Sequence, residues 1–367
     1  MLRDLKNMKI DKIIIHDKVI PSRYFLAPIN TGFAFEGIPS DNLIKFHEDR
    51  SGNNIGVSYI GNVSIDKKFV TNRNTLYFDQ NTTNNLAWLR LIDTIKTNGS
   101  LCGIQLGCNY SNYSAIRNWK NKNAKSYIDL TQRLILSLSE REIFNIQESF
   151  VNSIIKADSL GIDVIQIHAT HGYFLSNFLN RILNKRSDIF GFGKLFLIEN
   201  IITKIRKNLP NSLIDIRISL IDGVEDEKEE LKYKYELIEK LCSLNIDIFS
   251  VSNGIYNINK RLIYPPIQKG HLNNLGYILP LAKKYSNKFW SISGNIWNLF
   301  EIPLDIPDNI FFGIGRSLIA DPQFVYKYYN NDENRINHCQ RNNRCHYYSR
   351  NVANIACPKD KFLSNFI

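Results

Sequence analysis

The chain has 367 residues, 44% of them apolar, with a net charge of +11 and six cysteines. That is enough for one large α/β barrel or two ordinary domains, and no run of about 18 apolar residues offers a membrane span. The basic residues are scattered among Asn and Ile without a Lys/Arg block, which describes a dispersed basic surface and not a nucleic-acid footprint; attraction for an anionic substrate or cofactor remains. The start, Met1-Leu2-Arg3-Asp4-Leu5-Lys6, has no apolar signal core, so a cytoplasmic protein is expected.

Taken in chain order, residues 9–20 alternate enough to predict a small hairpin. Apolar runs then predict eight strands: Arg23–Ala27, Val57–Gly61, Cys102–Leu106, Val164–His168, Ile214–Ser219, Ile248–Val251, Phe289–Ser293 and Ile310–Ile314. Helical spacing fills several gaps. One set is Ile143, Ile146, Phe150, Val151, Ile154, Ile155 and Leu160; a second runs from Leu195 to Leu209; a third is Leu237, Ile238, Leu241 and Leu244. The third follows an acidic run, Glu225–Glu230, expected to be a solvated helix start. Strands alternating with helices imply a parallel sheet, and eight units imply a closed (β/α)8 barrel. The barrel is expected over 1–330 as a single domain, with a cysteine-containing extension over 331–367. Residues 107–140, rich in Asn, Ser and Tyr, are expected to form a long loop that shapes a pocket.

The chemistry concentrates at strand ends. The fourth strand runs into His168-Ala-Thr-His171-Gly-Tyr173, two imidazoles and a phenol that can jointly bind and protonate a substrate. Taken alone, the same residues describe two core histidines and a packing tyrosine. Gln105 sits inside the third strand, where an amide could be satisfied by a neighbour or could offer donor and acceptor to a uracil-like edge. Arg217 lies in an otherwise apolar strand and needs an acceptor there, either a carboxylate or a ligand. Ser293-Gly294-Asn295 and Gly313-Ile-Gly315-Arg316 end strands seven and eight, where barrels often hold phosphate.

Together with Ser22-Arg-Tyr-Phe-Leu-Ala-Pro28, Gly61-Asn-Val and Asn184-Lys-Arg-Ser-Asp-Ile-Phe-Gly191, these motifs resemble the Old Yellow Enzyme family of flavin oxidoreductases over nearly the whole chain. The resemblance implies FMN as cofactor, held by Ala27, Pro28, Ile29, Asn30, Asn62, Gln105, Arg217, Ser293, Gly294, Asn295, Gly315 and Arg316. FMN suits the sequence better than FAD, because no G-x-G-x-x-G follows a first strand. His168 and His171 would bind a substrate oxygen and Tyr173 would supply a proton. NADPH or NADH would be the electron donor, and a small unsaturated carbonyl compound the substrate. The resemblance is compatible with a homodimer and implies no specific nucleic acid and no membrane. Arg186 and Asp188 are expected to order a loop by bonding to each other or to backbone groups.

The pattern departs from the family in three places. Asn30 stands where a small hydroxyl or thiol is usual, Cys108-Asn-Tyr110 replaces a histidine- and glycine-rich turn, and the segment after Gly191 is short. The C-terminal run His338-Cys339-Gln-Arg-Asn342-Asn-Arg-Cys345-His346, then Cys357, resembles the iron–sulfur segment of the dienoyl-CoA reductase and trimethylamine dehydrogenase branch. Asn342 occupies the place of a cysteine, so Cys339, Cys345 and Cys357 read as a remnant, and no metal and no cluster are expected. Cys102, Cys108 and Cys242 stand singly and read as reduced thiols. Two other readings stay open: a flavin dehydrogenase or demethylase in a biosynthetic pathway, and a barrel that binds without catalysis.

Overall fold

Eight strands close into one ring in the computed structural model, which describes residues 11–78, 85–110, 124–345 and 354–357. The strands are β1 (Tyr24–Ile29), β2 (Val57–Ser64), β3 (Leu101–Gly107), β4 (Val164–Ala169), β5 (Leu213–Ser219), β6 (Ile248–Ser252), β7 (Phe289–Ser293) and β8 (Ile310–Ile314). All pair in parallel with their sequence neighbours, and β1 pairs with both β2 and β8, which shuts the barrel. A two-residue strand, Leu76–Tyr77, adds to the end of β2. Every residue of β4, β5, β6 and β8 is buried. Parallel strands are covered on both faces, which is why they appear in the sequence as continuous apolar runs.

Helices cover the ring: α1 (Asp41–Glu48), α2 (Leu86–Thr97), α3 (Ala124–Ser137), α4 (Glu140–Ser159), α5 (Phe174–Phe178), α6 (Phe196–Asn208), α7 (Glu227–Cys242), α8 (Lys260–Ile263), α9 (Leu275–Lys284), α10 (Arg316–Ala320) and α11 (Phe324–Tyr329). The longest, α4, starts at a capping box in which Ser139 and Glu142 satisfy each other's backbone N–H groups. The expected hairpin forms from Ile13–Ile15 and Lys18–Ile20. Its Ile15 and Ile20 join Phe25, Val57, Tyr59, Val164, Leu213, Ile248 and Phe311 in an apolar plug at the amino-terminal end of the strands. Each large side chain so buried contributes about 1.5–3 kcal/mol. The plug makes one end of the barrel solid and leaves polar chemistry to the other.

Two expectations change. The long connection after β3 is not loop throughout: its second half is α3, which buries Tyr127, Thr131 and Ile135, while 111–123 lie outside the described residues. The acidic run before α7 is not a solvated helix start at its last residue. Glu230 is fully buried and accepts the backbone N–H groups of Asp222, Gly223, Val224 and Glu225 at 2.7–3.3 Å.

The segment around Arg186 is ordered as expected. The Arg186 guanidinium pairs with Asp188 and donates to Ile135 O at 2.8 Å and Leu138 O at 2.7 Å. Asn184 ties the two ends of the turn by donating to Phe178 O and Phe190 O. Cys108 and Tyr110 are packing residues: Phe174 N donates to Cys108 O, and the Tyr110 ring stacks on Phe69. No helix among the described residues is long and apolar enough to cross a membrane.

Candidate active site

A cavity of about 920 Å³ opens at the carboxyl ends of the strands, large for a small-molecule site. Every residue that the sequence nominated for flavin or substrate lines it. Ala27, Pro28 and Ile29 come from β1 and Asn30 follows it; Asn62 and Gln105 come from β2 and β3; His168, His171 and Tyr173 from β4 and the turn after it; Arg217 from β5; Ser293 ends β7 and Gly294 and Asn295 follow it; Gly315 joins β8 to α10, which begins at Arg316.

The register explains the convergence. Arg217 lies beside His168 across β4 and β5. Gln105 lies beside Gln166, and Gln166 beside Asp215. Since side chains alternate along a strand, the second row sits one layer deeper than the first. The His168 ring centroid lies 5.3 Å from that of His171 and 4.4 Å from that of Tyr173. His171 is held with φ 64°, its Nε2 sharing a hydrogen bond with Ser252 Oγ at 2.9 Å. The Tyr173 hydroxyl is 3.1 Å from Thr71 Oγ1.

Both imidazoles are neutral. Burial pushes each well below the ordinary histidine value, and the Arg217 cation adds to it; His171 also feels His168. They are therefore N–H donors without charge. Arg217 is itself buried, which lowers its hold on its proton against the pull of Asp215. Among the described residues the carboxylate partner considered for it does not form: Arg217 makes no ion pair, and its Nε is buried with no hydrogen-bond partner.

His168 Nδ1 and Ser293 Oγ are buried and unpartnered in the same way. Such groups are costly unless a ligand meets them. The walls beside them cannot thicken. A Cβ on Gly61 would fall 2.6 Å from Pro28 Cβ, and one on Gly313 would fall 2.5 Å from Ser293 Oγ. A flat ligand with acceptors along one edge fits this cradle, and the flavin ring system is such a ligand.

Gln105 takes a partner on one side only. Its Nε2 donates to Gln166 Oε1 at 2.6 Å, and its Oε1 meets no partner among the described residues. Asn30 donates to Asn62 Oδ1 at 3.2 Å. Arg316 donates to Asn295 Oδ1 at 2.7 Å, to Pro265 O at 2.9 Å and to Asn343 Oδ1 at 3.1 Å.

Sequence reasoning missed Gln166 and Asp215 beneath the site, and Thr71, Ser252 and Tyr256 at its wall. Gln166 and Asp215 had a usable signal, since both are polar residues inside strands at the same pleat parity as Gln105. The six cysteines are free thiols. Cys345 lines the cavity, and burial, reinforced by Cys339 and Cys357, pushes its thiol up to about 11. The three therefore lie near one another, yet no group of three metal-ligating side chains forms among the described residues. His346 lies outside them.

The closed barrel with a cavity at the carboxyl ends of its strands has the form of an α/β-barrel enzyme. The family model of the NADH:flavin oxidoreductase / NADH oxidase family matches residues 13–334, and the chain belongs to that family. A probable NADPH dehydrogenase of Candida albicans is 23% identical over 376 aligned positions, covering 88% of this chain and 86% of that protein. The NADH-dependent flavin oxidoreductase iliE of Hypocrea jecorina is also 23% identical, covering 74% of each. Among solved structures, Old Yellow Enzyme from Pichia superposes with a TM-score of 0.66 at 13% identity, over 90% of this chain and 88% of that one. Histamine dehydrogenase from Rhizobium superposes with a TM-score of 0.80 at 18% identity, over 99% of this chain. This chain spans about half of that protein, 53% of its length. These last two likenesses are of fold.

Proposed function

We propose that the protein uses NADH or NADPH to reduce an activated C=C bond in a small α,β-unsaturated carbonyl compound, with FMN as its cofactor. The observation that carries this reading is the pair of buried, neutral imidazoles of His168 and His171 facing a cavity that also receives the Tyr173 ring and the unpartnered Arg217. Gln105, Arg217, Asn30, Asn62 and Ala27–Ile29 would hold the flavin rings. Ser293–Asn295, Gly315 and Arg316 would hold the phosphate end. FMN bound there would supply the two-electron hydride chemistry that couples oxidation of the nicotinamide to reduction of the substrate.

The protein's own contribution is to the oxygen and the proton. His168 and His171 donate N–H bonds to the carbonyl oxygen, which draws electron density from the β-carbon. The same two donors strengthen as that oxygen gains enolate charge, so they favour the transition state over the ground state. Tyr173 carries a phenolic proton beside them and delivers it to the α-carbon. Thr71, 3.1 Å from that hydroxyl, fixes its rotamer. Hydride at one carbon and a proton at the other complete the saturated product. One cavity serves the nicotinamide and the substrate in turn, which gives ping-pong kinetics.

The test is the anaerobic visible spectrum of the purified protein with NADPH or NADH, followed by 2-cyclohexen-1-one. Flavin bands that bleach with the nicotinamide and return with the enone are the expected result. A colourless protein that takes up no added FMN, or a reduced flavin that no enone reoxidises, overturns the reading.

A further inference from the structure

Arg316 and Arg341 line the cavity near one another, and no carboxylate among the described residues lines it. Arg316 is engaged by neutral acceptors only: Asn295 Oδ1, Pro265 O and Asn343 Oδ1. Arg341 comes from the C-terminal extension, lines the same cavity and is only 9% exposed. Its guanidinium lies 4.2 Å over the Trp297 ring. Among the described residues that guanidinium makes no hydrogen bond and no ion pair, and no Asp or Glu lines the cavity. Burial lowers the Arg341 pKa to about 10, and the nearby Arg316 cation adds to the effect. The buried Arg341 and the half-buried Arg316 repel each other, and no carboxylate in the cavity lining supplies the counter-charge that desolvation calls for.

The backbone is arranged to bring them there. Arg341 and Asn343 both adopt left-handed conformations, φ 54° and 58°, and so does Asn295 at φ 49°, which holds Arg316 from the other side. Non-glycine residues in that region cost free energy and cluster where ligands are held. The extension is tied to the barrel mouth by Ile355 N donating to Thr31 O, and Ala356 N donating to Cys345 O closes the extension on itself. The face of Trp297 fixes the plane of the Arg341 fork by a cation–π contact.

We propose that Arg341 and Arg316 form a two-guanidinium clamp for a phosphate monoester dianion, and that its ligand is the terminal phosphate of FMN, so that the C-terminal extension is a wall of the cofactor site. The choice of ligand rests on the flavin reading above. A phosphate offers three acceptor oxygens, and guanidinium forks match them. The clamp also accounts for the cysteine-bearing segment in a chain that lacks one cysteine of its relatives' pattern. The segment holds Arg341 and Asn343 in place whether or not any metal binds.

FMN and riboflavin differ only in the phosphate, so they test the clamp directly. Apo-protein is titrated with each by flavin fluorescence quenching, for the wild type, Arg341→Gln and Arg341→Lys. Arg341→Gln is expected to weaken FMN by between about tenfold and a hundredfold, to leave riboflavin unchanged and to flatten the salt dependence of FMN binding, with Arg341→Lys in between. Equal losses for FMN and riboflavin would make Arg341 a packing residue on Trp297, and no loss for either would remove it from the site. If the wild type binds no flavin at all, the proposed function fails first. The clamp then stands or falls separately on inorganic phosphate, which must raise the melting temperature of the wild type and not that of Arg341→Gln.

Discussion

Asp215 Oδ2 accepts the Nε2–H of Gln166 at 2.5 Å, and this bond decides which way a second amide faces. Asp215 Oδ2 also accepts Tyr59 OH at 2.7 Å and Ser250 Oγ at 2.8 Å. A carboxylate accepts and cannot donate, so Gln166 must turn its NH₂ to Asp215 and its oxygen to Gln105. Gln105 must then turn its NH₂ to Gln166 at 2.6 Å and offer its oxygen to the cavity. One fully buried carboxylate thereby sets the polarity of the amide at the proposed flavin site.

Burial raises the Asp215 pKa to about 6, against the opposing pull of Gln166, Tyr59, Ser250 and Arg217. Below that value the carboxyl gains a donor and the amide chain is no longer forced. The visible bands of bound flavin are expected to shift between pH 5 and 7 with a midpoint near 6, and Asp215→Asn is expected to abolish that titration. A wild-type titration that survives in the variant assigns it to another group. The stability effect has a definite sign. A raised folded-state pKa gives stability that is complete below the unfolded value of about 3.9 and is lost as pH rises through about 6. The Asp215→Asn variant therefore loses less stability than the wild type between pH 4 and 7, measured by urea unfolding.

The histidines carry the opposite sign. His168 and His171 are held neutral far below the ordinary value. Their contribution is complete above the unfolded pKa of about 6.5 and is lost as pH falls toward the folded values, at up to about 1.4 kcal/mol per pH unit for each. Between pH 8 and 6 the reoxidation of reduced enzyme by enone is expected to show no ionisation of these two imidazoles, because burial holds both well below the ordinary histidine value. The pair His168→Ala and His171→Ala should weaken phenol binding by roughly tenfold or more for each donor removed while FMN stays bound. A parallel loss of FMN would show that the rings only pack.

Tyr173→Phe separates the two half-reactions. The ring keeps its packing 4.4 Å from His168 and loses only the hydroxyl. Reduction by NAD(P)H needs no proton from Tyr173 and is expected to be unchanged. Reoxidation by an enone is expected to slow by about 10²–10⁴-fold, the usual range for a displaced general acid. Stopped-flow traces of the two halves read this directly, and equal slowing of both would place Tyr173 in cofactor positioning.

Much of this site was legible in the sequence because its residues sit at the carboxyl ends of strands that are apolar on both faces. His168, Arg217 and Gln105 interrupt such runs, and the parallel register then sets them side by side. What was not legible depends on contacts between distant strands. Among the described residues Arg217 lacks the ion pair that a buried guanidinium suggests, and the carboxylate whose charge it feels, Asp215, is already occupied by Gln166, Tyr59 and Ser250. The role of Arg341 depends on the path of the chain after α11, which no local pattern fixes. The helix within 107–140 was obscured by its polar, Asn-rich flank, although Tyr127, Thr131 and Ile135 keep helical spacing on its buried face.

Glu230 shows how a charge run misleads and how the fold answers it. Of the acidic residues at the start of α7, it is the one that turns inward, and it meets four backbone N–H groups of residues 222–225 at the turn following β5. Asp222 sits within the same turn, paired with Lys234 at 2.7 Å and bonded to Asn180 at 2.7 Å. That turn links β5, which carries Arg217, to the helix behind it. Glu230→Ala would leave several donors buried and unsatisfied, each costing about 1–3 kcal/mol, so a loss of about 3 kcal/mol or more is expected in urea unfolding. Glu230→Gln keeps one acceptor oxygen and brings a donor toward N–H groups, so it should recover only part of the loss. The outward-facing neighbour Glu229 provides the control: its partner Arg181 already holds Glu225 bidentately at 2.8 and 2.6 Å, and Glu229→Ala is expected to change stability by no more than about 0.5 kcal/mol. A Glu230→Ala variant as stable as Glu229→Ala would mean that water satisfies the turn as well as the carboxylate does.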